Sequence, residues 1–170
     1  MKQDVVIAIK FHMQNMNKNN INIDEKYMLL ALKEAEIAKS KNEVPVGAVI
    51  IKDGKVISKA HNLRQTKKTT LGHAEIIAIE KACKKLNTWI LDGCTIYVTV
   101  EPCIMCAGAI LQSRINRVVY GTEEPKFGAF GSVLDISKVD GFNHKVEIEQ
   151  GVLKDNCSQI MKDFFKNLRK

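Results

Sequence analysis

From residue 46 onward the apolar pattern keeps changing period, and that alternation restricts the fold more than any other feature of the chain. The stretch "VGAVIIKDGKVISKA" is two apolar runs joined at Asp53-Gly54, where glycine accepts the positive φ that a tight hairpin turn requires. Helical spacing follows over residues 76–86, then the β-branched run "TIYVTV" at 95–100 and a helix, "CIMCAGAILQSRI", beginning just after Pro102. The strand-like "RVVYG" and "KVEIE" come next, before a last helix over 156–168. Ahead of the hairpin, a helix from Asp24 as its cap to about Ser40 places Tyr27, Leu30, Ala31, Ala35 and Ala38 on one side. Strands alternating with helices predict an α/β sandwich around one sheet. Residues 1–23, with the asparagine-rich "NMNKNNINI", carry neither period and read as a flexible leader. Residues 24–170 read as a single domain without internal repeats.

The composition narrows the partners and the compartment. Lys and Arg exceed Asp and Glu by 26 to 19, a net charge of +7. Such an excess favours a polyanionic partner such as nucleic acid, and it is also what a solvated, lysine-rich surface looks like. The five cysteines (83, 94, 103, 106 and 157) are odd in number and follow no secretory signal, against a secreted disulfide framework. The apolar start Val5–Ile9 is shorter than a secretory core and is closed by Lys10. No run approaches the ~20 residues that cross a bilayer. The expected compartment is the cytoplasm.

The chemistry gathers at two helix starts. The helix over 76–86 is preceded by "HAE". Glu75 there has an ordinary explanation, because negative charge offsets the unpaired N–H groups of a helix N-terminus. His73 has none, since its cationic form is disfavoured at that end. In "EPCIMC", Cys103 and Cys106 stand at i and i+3 on another helix start, with Cβ atoms roughly 5–6 Å apart, where the helix end lowers thiol pKa. Alone, that pair reads as a redox couple, half of a structural zinc site, or two buried cysteines. Ile104 and Met105 between them are unlike the usual thioredoxin arrangement, and no second C-x-x-C supplies a closed structural site. Joined to His73, the pair makes three protein ligands and leaves a fourth tetrahedral position open, the arrangement of a catalytic zinc. Water in such a position has its pKa lowered to about 7. Glu75, on the same turn as His73 but outside the ligand positions, fits the need for a proton carrier. His-x-Glu followed by Pro-Cys-x-x-Cys is the signature of zinc-dependent nucleobase deaminases.

The likeness extends past that signature. From about Asp24 to the C-terminus the chain resembles the bacterial tRNA-specific adenosine deaminase family. The resemblance is carried by "EVPVGAVI", Asn62, "HAEI", "VTVEPCIMCAGAI", "SRINRVVYG", "GSVLDI", "NHKVEI" and "KDFFKNLR". It implies a three-layer α/β/α sandwich with a five-stranded mixed sheet of the cytidine-deaminase type, a homodimer, and conversion of the wobble adenosine of an arginine tRNA to inosine. It implies Zn2+ held by His73, Cys103 and Cys106, with Glu75 moving protons from water to N1 and then to the departing ammonia. Asn62 matches a residue that hydrogen-bonds the flipped base, which suits an amide's mixed donors and acceptors. A backbone N–H near Ala74 would orient the attacking water. The base leaves its stack most cheaply from an unpaired loop, as in an anticodon stem-loop. Lys126, Phe164, Phe165 and Arg169 are candidate RNA contacts, with one phenylalanine packing the last helix on the core as the alternative.

Two departures stand out. The family usually places Asp-Pro-Thr-Ala before the ligand histidine, where this chain has Thr69-Thr70-Leu71-Gly72. Phe127 and Phe130 stand where small residues are commoner, either narrowing the pocket or stacking on a neighbouring nucleotide. Two further classes compete. A deaminase of a free base or nucleoside, of cytidine or guanine type, needs neither a basic surface nor an aromatic-basic last helix. A non-enzymatic zinc-stabilised RNA-binding protein has no use for Glu75.

Overall fold

The computed structural model describes residues 22–168. Residues 1–21 of the expected leader, and Arg169 at the other end, lie outside the described residues. In chain order the elements are α1 (Ile23–Ser40), β1 (Gly47–Lys52), β2 (Lys55–His61), a single-turn α2 (Arg64–Lys67) and α3 (Ala74–Leu86). There follow β3 (Cys94–Val100), α4 (Ile104–Gln112), β4 (Arg117–Thr122), a 3-10 turn (Ile136–Lys138), β5 (Glu147–Gln150) and α5 (Lys154–Leu168).

The five strands form one sheet in the order β2-β1-β3-β4-β5. β1 is antiparallel to β2 and β3, whereas β3, β4 and β5 run parallel, so the sheet is mixed as expected. The hairpin turns at Asp53 and Gly54, both at positive φ (49° and 70°), as a two-residue turn matched to strand twist requires. Period-2 alternation then sorts the strand side chains into two cores. Ala48, Ile50, Ile96, Val98, Val118 and Tyr120 face α3 and α4. Val49, Ile51, Tyr97 and Val119 face Tyr27, Met28, Ala31 and Leu32 of α1 and Ile160 of α5. This is the three-layer α/β/α sandwich. β1, β3 and β4, buried on both faces, read as nearly unbroken apolar runs for that reason.

Local chemistry moved several boundaries. Helix α1 is capped by the Asn22 side chain, which accepts from the Asp24 N–H at 3.1 Å, rather than by Asp24. Helix α4 ends at Gln112 instead of running to Ile115, because Arg114 turns the chain at φ 63°. The α2 turn and the 3-10 turn carry no apolar period and were not expected.

Asp24 has a different job from capping. Its carboxylate takes two hydrogen bonds from the Arg117 guanidinium (2.8 and 2.9 Å) and one from the Tyr97 hydroxyl (2.7 Å), tying α1 to β4 and β3. The Arg117 hydrogen bonds, with Tyr97 assisting against burial, hold its pKa below the ordinary 3.8. A carboxylate depressed in this way stabilises the fold above its unfolded pKa, and that contribution disappears as pH falls through the folded value. Asp24→Asn is therefore expected to lower stability at pH 7 by about 1–3 kcal/mol, since it removes the charge-assisted bonds while Arg117 keeps Glu147 at 3.1 Å. The gap from wild type should narrow as pH falls below the ordinary carboxylate range. Urea unfolding at both pH values checks this, and a pH-independent gap contradicts it.

Candidate active site

The chain reaches the site twice, each time at the start of a helix. Leaving β2 it passes α2 and enters α3 through His73, which occupies the N-cap position with extended backbone (φ −78°, ψ 145°). Leaving β3 it enters α4 through Cys103, also an N-cap with extended backbone (φ −71°, ψ 170°). Neither side chain caps its own helix, so both are free to point elsewhere. They point at each other: Cys103 Sγ lies 3.7 Å and Cys106 Sγ 3.5 Å from His73 Nδ1. The three ligand atoms all fall within 4.8 Å of one another. A tetrahedral zinc with its usual bond lengths separates sulfur from nitrogen by about 3.6 Å. The donor set and its spacing fit that ion.

The three groups share protons unequally. The Cys103 thiol is pulled down to about 4 by its hydrogen bond with Cys106 and then by His73. Cys106 is pushed up by the same bond and by burial. His73 is raised, chiefly by its hydrogen bond with Cys103, which outweighs the effect of burial.

Glu75 sits in the first turn of α3, 3% exposed, and burial pushes its pKa up to about 6. Its Oε2 is buried without any hydrogen-bond partner. Asp24, Glu43 and Glu101 are the other buried carboxylates among the described residues, and each is satisfied by several donors. An unpartnered buried carboxylate oxygen is costly, and it stands beside the ligand trio. A cavity of about 380 Å³ opens over both, with Asn62, His73, Glu75, Cys103 and Phe127 among its walls.

The other expected site residues divide. Asn62 is buried, and its Oδ1 accepts the Ala74 N–H at 2.9 Å. That bond corrects the reading of Ala74: its N–H serves Asn62 and is not turned toward an attacking water. Lys126 is exposed and is not among the residues lining the cavity. Phe164 is buried at 7% exposure on the face of α5 that also carries Cys157 and Ile160, so its ring packs the helix and offers no stacking face. Phe165 is 40% exposed, with its ring 5.4 Å from that of Phe164 in an edge-on pair. In the unusual loop, Thr70 lines the cavity while Leu71 is exposed. Gly72 lies against the Arg64 backbone with no room for a Cβ.

Two carboxylates that shape the cavity were missed. Glu43 accepts the N–H groups of Gln65 (3.1 Å) and Thr66 (2.7 Å), pinning α2 and the loop that delivers His73. Burial pushes its pKa up, but those N–H bonds win and hold it low. Glu101 accepts from the N–H groups of Glu124, Phe130 and Ser132 (3.0, 2.9 and 3.1 Å) and from the Ser132 hydroxyl. It fixes the segment that forms the opposite wall. Gly128 in that segment lies so close to the Glu101 carboxylate that a Cβ would overlap it. An acid at the end of an apolar strand, just before Pro102, was the available signal.

The chain is similar to known proteins over most of its length. The MafB19-like deaminase family model matches residues 22–169. The tRNA-specific adenosine deaminase of Bacillus subtilis (strain 168) is 48% identical over 147 residues, covering 86% of this chain and 91% of that protein. The Aquifex aeolicus (strain VF5) protein of the same name is 46% identical, covering 85% of this chain and 95% of its own length. A solved structure from work on A-to-I editing by tRNA:A34 deaminases superposes with a TM-score of 0.77 at 38% identity, covering 79% of this chain and 98% of that one. Guanine deaminase from Nitrosomonas europaea shares the fold, with a TM-score of 0.69 at 22% identity, covering 82% of this chain and 83% of that one. The chain belongs to the MafB19-like deaminase family and, within it, to the bacterial tRNA-specific adenosine deaminases.

Proposed function

We propose that the protein hydrolytically deaminates adenosine to inosine at the wobble position of tRNA, with an arginine tRNA anticodon stem-loop as substrate. The observation that carries the reading is the buried, unpartnered Oε2 of Glu75 beside a His/Cys/Cys trio with the spacing of a zinc site. The similarity to tRNA-specific adenosine deaminases supports the choice of base and of nucleic acid. The net charge of +7 agrees with a polyanionic substrate. No helix among the described residues is long and apolar enough to cross a membrane. The protein works in the cytoplasm as a homodimer.

His73, Cys103 and Cys106 would hold the zinc ion, whose Lewis acidity lowers the pKa of a water molecule toward neutrality. Glu75 does the proton work. Its carboxylate takes one proton from the attacking water and delivers it to N1 of the adenine. It then takes the remaining proton of the new C6 hydroxyl and gives it to the amine at C6, so that ammonia departs and the C6 oxygen becomes the carbonyl of inosine. A carboxyl with a pKa raised to about 6 is better matched to both giving and taking a proton near neutral pH than an ordinary one. Asn62 spends its oxygen on the Ala74 N–H, which leaves its NH2 to donate to the ring of the flipped base. Glu43 and Glu101 act as positioning residues, their carboxylates taken up by backbone N–H groups. They position the two walls between which the base enters.

Purified protein is expected to convert the wobble adenosine of an arginine tRNA stem-loop to inosine, read as A-to-G by sequencing, and to lose that activity on chelation. Free adenosine, cytidine and guanine should remain unchanged. Turnover of a free base or nucleoside, with the stem-loop untouched, would replace this reading with the small-substrate one. Glu75→Ala should retain zinc by elemental analysis and lose about 10²–10⁴-fold in kcat. Full turnover in that variant contradicts the proton-transfer role, and loss of zinc would make Glu75 a ligand.

A further inference from the structure

The cavity mouth carries a side chain that neither the packing nor the proposed chemistry uses. Phe127 is 66% exposed, more than any other large apolar side chain among the described residues. Yet it lines the same cavity as His73, Glu75 and Cys103. The other unusual aromatic, Phe130, is 3% exposed and belongs to the core. The two rings therefore do different things: Phe130 fills space, and Phe127 faces outward at the entrance.

The backbone that presents Phe127 is firmly held. The next residue, Gly128, pairs with Cys103 in an isolated antiparallel bridge. The Gly128 N–H donates to the Glu124 carbonyl at 2.9 Å, and its carbonyl accepts from Val133 at 3.1 Å. Glu101 grips Glu124 on one side and Phe130 and Ser132 on the other. The ring is thus carried one residue from the strand partner of a ligand position, on a segment anchored at both ends. Single exposed apolar residues are common on protein surfaces; what sets Phe127 apart is its place on an anchored segment in the wall of the cavity that holds His73 and Glu75.

Chemistry at the site says what that face would meet. A target adenine that enters the cavity leaves its stack, and the nucleobase next to it loses one stacking partner. Every nucleobase presents a π face, which an aromatic side chain can cover whatever the base. We propose that Phe127 stacks on the nucleobase adjoining the target adenosine and thereby replaces the contact that extrusion removes. The inference rests on the tRNA reading above, but it concerns the neighbour of the reacting base and assigns Phe127 a substrate-binding role of its own.

The test uses stem-loops carrying 2-aminopurine at each position adjoining the wobble adenosine in turn. Wild-type protein should quench the fluorescence of one of them on binding, whereas Phe127→Leu, apolar but without a ring, should leave it bright. KM for the unmodified stem-loop should rise about 10-fold in Phe127→Leu, the order expected for one base–aromatic stack, with a smaller change in kcat and with recovery in Phe127→Tyr. An abasic residue at the quenched position should raise the wild-type KM by a similar factor and remove any further effect of the leucine. Equal KM values for wild type and Phe127→Leu, or quenching that persists in that variant, overturn the inference. A wild-type protein that leaves the wobble adenosine unconverted overturns the functional reading instead, so the two failures are distinguishable.

Discussion

Two helix N-termini converging beside one sheet govern this structure. His73 and Cys103 both stand at N-cap positions with extended backbone, and neither spends its side chain on its own helix. Their side chains, with Cys106 one turn into α4, meet within 4.8 Å. The positive end of a helix stabilises negative charge, and of the two cysteines Cys103 is the one held as thiolate, while Cys106 is pushed toward its thiol. The meeting is possible because β3 and its neighbours are buried on both faces and hold α3 and α4 against one side of the sheet.

Buried carboxylates distinguish scaffold from chemistry. Asp24 binds α1 to the sheet through Arg117 and Tyr97. Glu43 gathers backbone N–H groups of the single-turn α2 and Glu101 those of the segment 124–132, and both stretches contribute residues to the cavity walls. All three are satisfied acceptors, so each stabilises a fixed arrangement of the surrounding chain. Glu75 alone of the four keeps an oxygen without a partner. The fold satisfies three such groups and leaves a buried oxygen without a partner on Glu75 beside the His73, Cys103 and Cys106 trio, with another on the part-buried Glu36.

The sequence was most legible where one residue type implied one geometry. Asp53-Gly54 announced the hairpin, because few dipeptides accept positive φ twice. His73, Cys103 and Cys106 were legible because zinc chemistry accepts few donors, and their spacing from helix starts fixed where they would point. What stayed hidden depended on contacts distant in the chain. Asn22 and Asp24 both suit a cap, and only the presence of Arg117 across the sheet decided that Asp24 would be drawn away. The Ala74 N–H looked available until Asn62, 12 residues earlier, was seen to take it. Phe164 and Phe165 are adjacent and chemically identical, and the helix phase alone buried one and left the other part-exposed. Glu101 read as a generic acid before a proline, yet its four acceptor contacts organise a wall of the site.

The central claim is that one imidazole nitrogen and two sulfurs bind a single zinc ion in the resting protein. Extended X-ray absorption at the zinc edge of the purified full-length chain tests it most directly. The account predicts a four-neighbour shell with two sulfur scatterers at about 2.3 Å and nitrogen or oxygen scatterers at about 2.0–2.1 Å, losing one sulfur in Cys103→Ser. A shell of nitrogen and oxygen alone, or four sulfurs, would contradict it.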